Sequence, residues 1–340
     1  MRYLITGGCG FLGSNLSQAV MKNGGHLTIF DNLSRLGSEM NLAWLKKQGN
    51  FSFFHGDIRN QNDIDTLIKN TKPDVIFHLA GQVAMTTSLK DPQKDFEINA
   101  MGSLYLLESV RKYARDACVI YSSTNKVYGD LDQFNYIEKD TRYEIKGFEN
   151  GLNESVNLDF RSPYGCSKGA ADQYMLEYAR NFDLNTIVFR HSSIFGGRQY
   201  STYDQGWIGW FIQESLLIKK GVHNKPIKIS GDGKQVRDVL FSEDLIDCYF
   251  LAASSINTSR GQAFNVGGGP SNSMSLIELF SFLEAELGVT LEVEKNEWRS
   301  NDQKVFIADI TKAKKYFQWE PKKDKFSGLK KMITWVNSQI

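Results

Sequence analysis

The first 190 residues alternate short apolar runs with longer segments in which apolar residues recur at helical spacing. Two runs, 75–77 and 187–189, are continuously apolar, which is typical of strands buried on both faces of a parallel sheet. Strands that alternate with helices form β-α-β units with right-handed crossovers, so the pattern predicts an α/β fold with a doubly wound, Rossmann-type parallel sheet. The predicted strands are 3–6, 26–30, 51–55, 75–79, 119–122 and 186–190, and the predicted helices are 11–23, 63–69, 99–114 and 164–181.

The pattern changes after residue 190, where glycines and aromatic residues surround isolated helical segments at 275–287 and 325–338. We expect residues 1–190 to form the dinucleotide-binding domain and residues 191–340 to form mainly a smaller C-terminal substrate lobe. A helix at 242–253 and a strand at 264–267 are expected to return to the main sheet, so the region 237–267 would belong partly to the first domain.

Composition narrows the class of protein. Hydrophobic residues make up 41% of the chain and charged residues 23%, with a net charge of +1, which indicates a globular protein without a field that would attract nucleic acid or a membrane. No apolar run approaches the ~20 residues of a membrane span, and the N-terminus does not resemble a signal peptide. The four cysteines are scattered without a Cys-x-x-Cys pair, which argues against zinc and disulfides and favours a reducing, cytoplasmic location.

Three glycines at 7, 10 and 13 follow the first predicted strand and open the first helix. Glycine lets the backbone approach a pyrophosphate closely, and the helix N-terminus offers free amide hydrogens and the positive end of a dipole. This spacing differs from the usual G-x-G-x-x-G fingerprint, and a tight turn without a ligand would also produce it. The predicted dinucleotide contacts in the turn are Gly7, Gly10, Phe11, Leu12 and Gly13.

Acidic residues follow the next two predicted strands. Asp31 ends the second strand, where its carboxylate can accept hydrogen bonds from ribose hydroxyls and would repel a 2′-phosphate, so NAD is favoured over NADP. Arg35 lies close by and keeps NADP possible. Asp57 could bind adenine or face solvent as a loop acid. The neighbouring Asn32 and Ile58 complete the predicted adenosine contacts.

Tyr164 and Lys168 lie four residues apart on a predicted helix and therefore share one face. A free phenol has a pKa near ~10, and a nearby ammonium group favours its ionised form. Tyr164 could then exchange a proton with a substrate hydroxyl, while Thr124 hydrogen-bonds the same oxygen. A Tyr-x-x-x-Lys spacing alone also occurs by chance in amphipathic helices.

The glycine turn, the upstream threonine and the Tyr-x-x-x-Lys motif together resemble the extended short-chain dehydrogenase/reductase family. This resemblance implies NAD as the cofactor and catalysis by Thr124, Tyr164 and Lys168, with Lys168 also binding the nicotinamide ribose. A histidine alone at position 191 is as often structural as catalytic. The other cofactor contacts that the resemblance implies are Leu79, Ala80, Gln82, Asn99, Ser122 and His191.

The C-terminal half resembles the nucleotide-sugar-binding part of the same family. Arg237, within the segment 231–238, matches a diphosphate-binding arginine, and Arg299, followed by Asp302, matches a second. Arg198 is a third candidate, because guanidinium groups bind phosphate oxygens with paired donors. Each arginine alone could equally form a weak surface salt bridge.

The residue after Thr124 bears on the reaction. Dehydratases of this family place acids there, whereas this chain has Asn125 and Lys126, so epimerisation is favoured. Ser193 stands where many 4-epimerases have asparagine, which suggests that the sugar is held differently. Cys166 lies inside the Tyr-x-x-x-Lys motif and could contact the sugar, although a thiol role is the less favoured interpretation.

The segments 122–130, 162–175 and 203–207 resemble the branch of the family that epimerises CDP-linked sugars for the O-antigen of lipopolysaccharide. The resemblance implies a CDP-sugar substrate, contacts to it from Asn125 and Ser193, and a homodimer or homotetramer paired through helices 99–114 and 164–181. Two alternatives stay open: a 4-epimerase of UDP- or CDP-sugars with the same triad, and a catalytically inactive dinucleotide-sensing protein.

Overall fold

A parallel sheet lies at the centre of the fold. The computed structural model describes residues 1–223, 225–299 and 301–340, and within them seven strands form this sheet. The strands of the protein, numbered along the chain, are β1 Arg2–Thr6, β2 His26–Asp31, β3 Ser52–His55, β4 Val75–His78, β5 Cys118–Thr124, β6 Tyr136–Glu138, β7 Tyr143–Ile145, β8 Asn185–His191, β9 Ser193–Phe195, β10 Ile227–Ser230, β11 Val236–Phe241, β12 Gln262–Val266, β13 Ser273–Ser275, β14 Val293–Asn296 and β15 Val305–Phe306.

Helices cover both faces of this sheet and surround the core of the C-terminal half. They are α1 Phe11–Lys22, α2 Ser38–Leu45, α3 Gln61–Thr71, α4 Met85–Lys90, α5 Pro92–Phe96, α6 Gly102–Tyr113, α7 Ser162–Phe182, α8 Trp207–Lys219, α9 Ser242–Ser254, α10 Ile256–Ser259, α11 Leu276–Leu287, α12 Thr311–Phe317 and α13 Lys325–Asn337. A π-helical turn, Glu97–Met101, leads into α6, and short 3-10 turns occupy Asn125–Tyr128 and Pro270–Asn272.

The strand order in the sheet is β12-β8-β5-β4-β1-β2-β3, and all neighbours are parallel. The chain builds outward from β1 through β2 to β3, then crosses to β4 and continues in the other direction. In doubly wound sheets, ligands bind outside the carboxyl ends of the strands where the order reverses. Here that position lies between β1 and β4, directly beyond the glycine turn.

Two apolar cores form because the central strands carry buried side chains on both faces. On one face, Leu16 of α1 and Tyr249 of α9 pack against Phe77 of β4. On the other, Leu107 of α6 and Met175 of α7 pack against neighbouring strands. Burial on both faces explains why these strands read as continuous apolar runs. The predicted α/β class and doubly wound sheet are confirmed.

The C-terminal half has its own apolar core, which includes Phe211, Leu279 and Met332. Around it lie α8, α11 and α13, together with strands that pair outside the main sheet. As predicted, one strand and one helix of this half return to the main sheet: β12 pairs with β8, and α9 packs beside α1. The division into residues 1–190 and 191–340 stays a prediction.

Two local predictions are wrong. The strand predicted to end at Ser122 continues to Thr124, because β8 extends far enough for Thr124 to pair with His191. The helix predicted to begin at Asn99 begins earlier, as the π-helical turn that contains Asn99. Within the described parts of the chain, no helix combines the length and apolar character needed to span a bilayer.

Candidate active site

A cleft of about 760 Å³ runs along the carboxyl ends of the sheet strands and continues between the elements of the C-terminal half. It brings together residues that the sequence predicted separately for a dinucleotide and for a nucleotide sugar. Asn99 and Lys168 do not line it but contact residues that do. The predicted residues that line the cleft are Gly7, Gly10, Phe11, Leu12, Gly13, Asp31, Asn32, Arg35, Asp57, Ile58, Leu79, Ala80, Gln82, Ser122, Thr124, Asn125, Tyr164, His191, Ser193, Arg198, Arg237, Arg299 and Asp302.

The glycine turn is packed too tightly for side chains. Gly7 has a φ of +70°, and a Cβ atom there would lie 2.8 Å from the backbone nitrogen of Ala80. A Cβ atom on Gly13 would lie 2.1 Å from the Gly7 carbonyl oxygen. Gly10 is the N-cap of α1 and has no side chain to cap the helix, so the first amide groups are left for an anion. This cradle fits the pyrophosphate of a dinucleotide.

Asp31 lies at the edge of the same cradle. Its carboxylate accepts hydrogen bonds from the backbone amides of Cys9 (2.9 Å) and Leu33 (2.8 Å), so the second strand holds the glycine turn in place. Burial raises the pKa of Asp31, and these two amide bonds oppose the rise. The carboxylate keeps free lone pairs for ribose hydroxyls, as predicted for NAD. Arg35 is exposed at the cleft edge.

Asp57 is fixed by a basic neighbour that the sequence reading did not consider. Arg59 donates to both carboxylate oxygens of Asp57, at 3.0 and 2.9 Å, and Asn32 donates to one of them at 3.1 Å. The bonds from Arg59 hold the pKa of Asp57 at about 2. Asp57 is therefore an ionised acceptor at the cleft edge rather than a loop acid without partners.

Two of the three predicted catalytic residues, Thr124 and Tyr164, lie next to each other in the cleft. Thr124 ends β5 and Tyr164 lies in the first turn of α7; both are buried and line the cleft. Burial raises the pKa of Tyr164 to about 12, and hydrogen bonding with the nearby Thr124 hydroxyl opposes the rise. Lys168, one turn further along α7, donates to the Ser122 carbonyl oxygen. Its ammonium lies 4.3 Å from the ring centroid of Tyr121.

Lys168 is almost completely buried, and burial lowers its pKa to about 7. The carboxylates of Asp172 and Asp95 oppose this fall. Asp172 forms a bidentate ion pair with buried Arg190, so its charge is already shared. The charge state of Lys168 therefore depends on a small number of carboxylates beneath the site.

Asp95 is a site residue that the sequence reading missed. It lies on α5, is 1% exposed, and accepts hydrogen bonds from Gln82, Asn99 and Ser167. Asn99 also bonds the backbone of Gln82 in both directions, at 2.9 and 3.0 Å. The π-helical turn, a feature often found at functional sites, positions Asn99 for these contacts. This network connects the cofactor side of the cleft with the residue that precedes Lys168.

His191 is held as a neutral ring. Its Nδ1 atom lies 3.1 Å from the Ser122 hydroxyl, and its Nε2 atom lies 3.4 Å from the Tyr249 hydroxyl. Burial, and to a smaller extent the charge on Lys168, lower the pKa of His191 to about 3. A neutral ring with both nitrogens occupied orients Ser122 and is not suited to proton transfer at neutral pH.

The substrate side of the cleft contains a partly buried charge cluster. Asp302 accepts hydrogen bonds from Arg237 at 2.7 Å and from Lys126 at 3.4 Å, and Lys126 also donates to the Asn301 carbonyl oxygen. Burial raises the pKa of Asp302, but Lys126 and Arg237 outweigh it and the net shift is downward. Asn125 is engaged separately, with its amide donating to Gln303 at 2.9 Å.

The remaining predicted contacts are distributed along the cleft. Arg299 donates to the Ser230 hydroxyl at 3.3 Å and stacks on the Tyr203 ring. Arg198 instead stacks between the indoles of Trp44 and Trp335, away from the contacts of Arg237 and Arg299. Ser193 accepts a hydrogen bond from the Trp207 indole at 3.2 Å.

The exposed thiol of Cys166 faces the Phe160 carbonyl oxygen at 3.5 Å and does not line the cleft. The catalytic-thiol hypothesis therefore gains no support from the structure.

Comparison with known proteins shows the family of the chain. Residues 3–267 match the NAD dependent epimerase/dehydratase family. The chain belongs to this family. This epimerase/dehydratase family member is 57% identical over 338 residues to CDP-paratose 2-epimerase from Salmonella typhi, covering 99% of this chain and 100% of the relative. It is 30% identical over 335 residues to a putative UDP-glucose 4-epimerase from Methanocaldococcus jannaschii, covering 98% of both chains.

Solved structures of family members have the same fold. UDP-glucuronic acid 4-epimerase from Bacillus cereus, in complex with UDP-glucuronic acid and NAD, superposes with a TM-score of 0.85 and is 27% identical, with full coverage of both chains. UDP-glucose 4-epimerase from Thermotoga maritima with UDP-glucose has a TM-score of 0.83 and 28% identity, covering 100% of this chain and 99% of that one.

Proposed function

We propose that this protein is an NAD-using epimerase that converts CDP-paratose to CDP-tyvelose by transient oxidation at C2. The observation that carries the proposal is 57% identity, over the whole length of the relative, to a CDP-paratose 2-epimerase. The neighbouring Thr124 and Tyr164 in the cleft, with Lys168 one helical turn away, support a redox reaction rather than the alternative of an inactive dinucleotide sensor. The proposed place of this step is O-antigen sugar synthesis.

The residues of the chain divide the proton chemistry between them. Bound NAD supplies a hydride acceptor and donor. The Tyr164 phenolate accepts the proton of the C2 hydroxyl and later returns it, while Thr124 holds that oxygen by a hydrogen bond. The Lys168 ammonium favours the phenolate by its charge. Gly7, Gly13 and Asp31 would hold the pyrophosphate and the adenosine ribose.

The residues beside Thr124 favour epimerisation over dehydration. A dehydratase needs an acid that delivers a proton to the departing hydroxyl. Here the Asn125 amide is bound to Gln303, and the Lys126 ammonium is bound to Asp302 and to the Asn301 carbonyl oxygen. Arg237 and Arg299 supply positive charge for the diphosphate of a CDP-sugar.

We also propose that the protein is cytoplasmic and forms a homodimer or homotetramer through α6 and α7. Tyr113 at the end of α6, and Tyr174 and Phe182 on α7, are 38%, 48% and 38% exposed. Aromatic side chains left open on two neighbouring helices are what subunit pairing would cover. Neither nucleic acid nor a membrane is a proposed partner.

Replacing Tyr164 with phenylalanine tests the catalytic assignment. Turnover of CDP-paratose should fall about 100-fold or more, because the phenolic proton carrier is lost. NAD binding, followed by fluorescence titration, should stay within a few fold of wild type. A variant that keeps its turnover would refute the role of Tyr164.

Product analysis distinguishes the proposed 2-epimerase from the 4-epimerase alternative. Wild type should epimerise CDP-paratose at C2 and leave UDP-glucose unchanged; conversion of UDP-glucose at C4 would favour the 4-epimerase alternative.

The reaction in deuterated water tests the route of epimerisation. Carbon-bound deuterium in the product would indicate proton abstraction from carbon and contradict the redox route.

A further inference from the structure

The segment 197–200 lies between β9 and α8 and contacts the first two helices of the chain as well as the last one. We infer that this bridging segment closes the cofactor side of the cleft and slows the release of NAD, with Arg198 as the positioning residue that holds the segment in place. Arg198 and Tyr200 line the same cleft as the glycine turn and Asp31. The inference does not depend on which nucleotide sugar is the substrate.

Two asparagines hold the backbone of the bridging segment beside the glycine turn. The side-chain amide of Asn15, on α1, donates to the Gly197 carbonyl oxygen at 2.9 Å. The side-chain amide of Asn41, on α2, donates to the Arg198 carbonyl oxygen at 3.3 Å and to the Cys9 carbonyl oxygen at 3.1 Å. Because position 9 belongs to the glycine turn, the Asn41 amide connects the bridging segment directly to the cradle that fits a pyrophosphate.

The Arg198 side chain connects the cofactor side of the molecule to the C-terminal helix. Its guanidinium carbon lies 4.6 Å from the ring centroid of Trp44, on α2, and 5.7 Å from that of Trp335, on α13. A guanidinium group is attracted to the faces of both indoles. The φ of Arg198 is +68°, a conformation that residues other than glycine adopt rarely and keep only where the surrounding contacts fix it.

Tyr200 packs the other end of the bridging segment against the loop between β2 and α2. A Cβ atom on Gly37 would lie 2.0 Å from a ring carbon of Tyr200, so the ring lies directly on the backbone there. The ring also packs edge-on against Trp335, with 5.3 Å between centroids, and the Tyr200 hydroxyl donates to Gln339 at 3.2 Å. Since this loop begins just after Asp31, Tyr200 bounds the cleft on the side of the predicted ribose acceptor.

These contacts have a consequence for the release of the cofactor. The way out of the cofactor side of the cleft passes the bridging segment, which must move away from α1 and α2 before NAD can leave. That movement breaks the hydrogen bonds from both asparagines and separates Arg198 from Trp44. The nucleotide sugar is affected less, because Arg198 lies away from the contacts of Arg237 and Arg299.

The rate of NADH release tests the inference, because reduced nicotinamide is fluorescent. The protein is loaded with NADH, an excess of ADP-ribose is added, and the decay of the fluorescence of bound NADH gives the dissociation rate. Arg198→Met keeps most of the side-chain length without the charge and should release NADH at least tenfold faster than wild type. Arg198→Lys keeps a cation beside both indoles and should restore most of the slow release. An unchanged rate in Arg198→Met would overturn the inference.

Trp335→Leu shows whether the effect passes through the indoles, because Trp335 does not line the cleft. If Arg198 acts by holding the bridging segment, this variant should also release NADH at least fivefold faster than wild type. Release at the wild-type rate would mean that the guanidinium acts on the cofactor directly, which would overturn the inference. Should Trp335→Leu fail to fold, Trp44→Leu removes the indole on the other side of the guanidinium and replaces it in the test.

Phe326→Leu is the matched control, because it removes an aromatic ring from the same helix, α13. Phe326 stacks on Phe282 and does not line the cleft. Its replacement should leave the rate of NADH release unchanged. Release as fast as in Trp335→Leu would assign the effect to a general loosening of α13 and overturn the role of the bridging segment.

The KM for the nucleotide sugar separates this role of Arg198 from the predicted contact to the sugar diphosphate. At saturating NAD, Arg198→Met should keep its KM within about twofold of wild type. A raised KM with unchanged NADH release would favour the diphosphate contact and overturn the inference. The release measurement itself contains no sugar, so its outcome is independent of whether CDP-paratose is the substrate.

Discussion

At the scale of single residues, the carboxylate of Asp95 supports a lysine charge that burial opposes. Lys168 needs to be an ammonium to favour the Tyr164 phenolate, yet its pKa lies at about 7 in its buried position. The charge on Asp95 raises that pKa. Asp95 is thus a positioning residue that acts through Lys168 and through its bonds to Ser167 and Asn99.

Asp95→Asn is predicted to shift the pH profile. Without the carboxylate the pKa of Lys168 falls, so the ammonium is lost at lower pH, and the alkaline limb of kcat/KM should move toward acid. At pH 8 the activity should fall roughly tenfold, with a smaller loss at pH 6. Asp65→Asn is the control. Asp65 also accepts a hydrogen bond from a serine, Ser109, but it lies outside the cleft. Its replacement should therefore leave the pH profile unchanged. A uniform loss at all pH values would mean a purely structural role for Asp95.

A catalytic role for Thr124, Tyr164 and Lys168 could be predicted from the sequence because the Tyr-x-x-x-Lys spacing and the upstream threonine match a family motif. It could not identify Asp95, whose partners Gln82, Asn99 and Ser167 come from three separate parts of the chain and meet only in the fold. The same limit explains His191: sequence left its role open, and only the contacts to Ser122 and Tyr249 show how its ring is held.

At the scale of elements, the glycine turn depends on contacts between backbone atoms. Gly13→Ala would place a methyl group 2.1 Å from the Gly7 carbonyl oxygen, and backbone cannot move aside as a flexible side chain can. The unfolding free energy should fall by about 1–3 kcal/mol, and NAD affinity should fall at least tenfold. Urea unfolding without ligand and NAD titration measure the two effects.

Gly49→Ala is the matched control, because its new methyl group would contact only the flexible Met21 side chain, at 3.3 Å. It should retain NAD affinity. Wild-type binding in Gly13→Ala would show that the turn does not hold the dinucleotide.

Periodicity predicted the sheet elements well because burial on both faces leaves a strong apolar signal. It missed α8, whose apolar residues face both the Phe211 core and the cleft, so a single apolar stripe is absent from its sequence. It also ended β5 two residues early, since polar Ser123 and Thr124 do not look like strand residues although they pair with Arg190 and His191.

At the scale of the whole molecule, the contact from Lys126 to Asp302 joins the catalytic strand to the C-terminal half. Lys126→Met would remove one of the two cations that hydrogen-bond Asp302, leave that bond to Arg237, and remove the donor to the Asn301 carbonyl oxygen. Arg237 would then be held more tightly by the Asp302 carboxylate and would be less available to the substrate diphosphate.

We expect Lys126→Met to raise KM for the nucleotide sugar about tenfold, or about 1.4 kcal/mol, with a smaller effect on kcat and little on NAD affinity. Steady-state kinetics measure the split. Lys304→Met, which changes an exposed lysine nearby that does not line the cleft, should behave as wild type. A fall in kcat at constant KM would place Lys126 in the chemical step instead.

The ladder between β5 and β8 reaches as far as the pair Thr124 and His191. The Thr124 hydroxyl therefore stands on a strand that is paired with β8 as far as its last residue, whereas Arg237 and Arg299 belong to later segments around a separate core. Mutations in those later segments can change which nucleotide sugar binds without disturbing the residues that carry out the oxidation. Because the two parts of the site are separate, enzymes with this fold can change their sugar substrate through single mutations, and each intermediate enzyme keeps its catalytic activity.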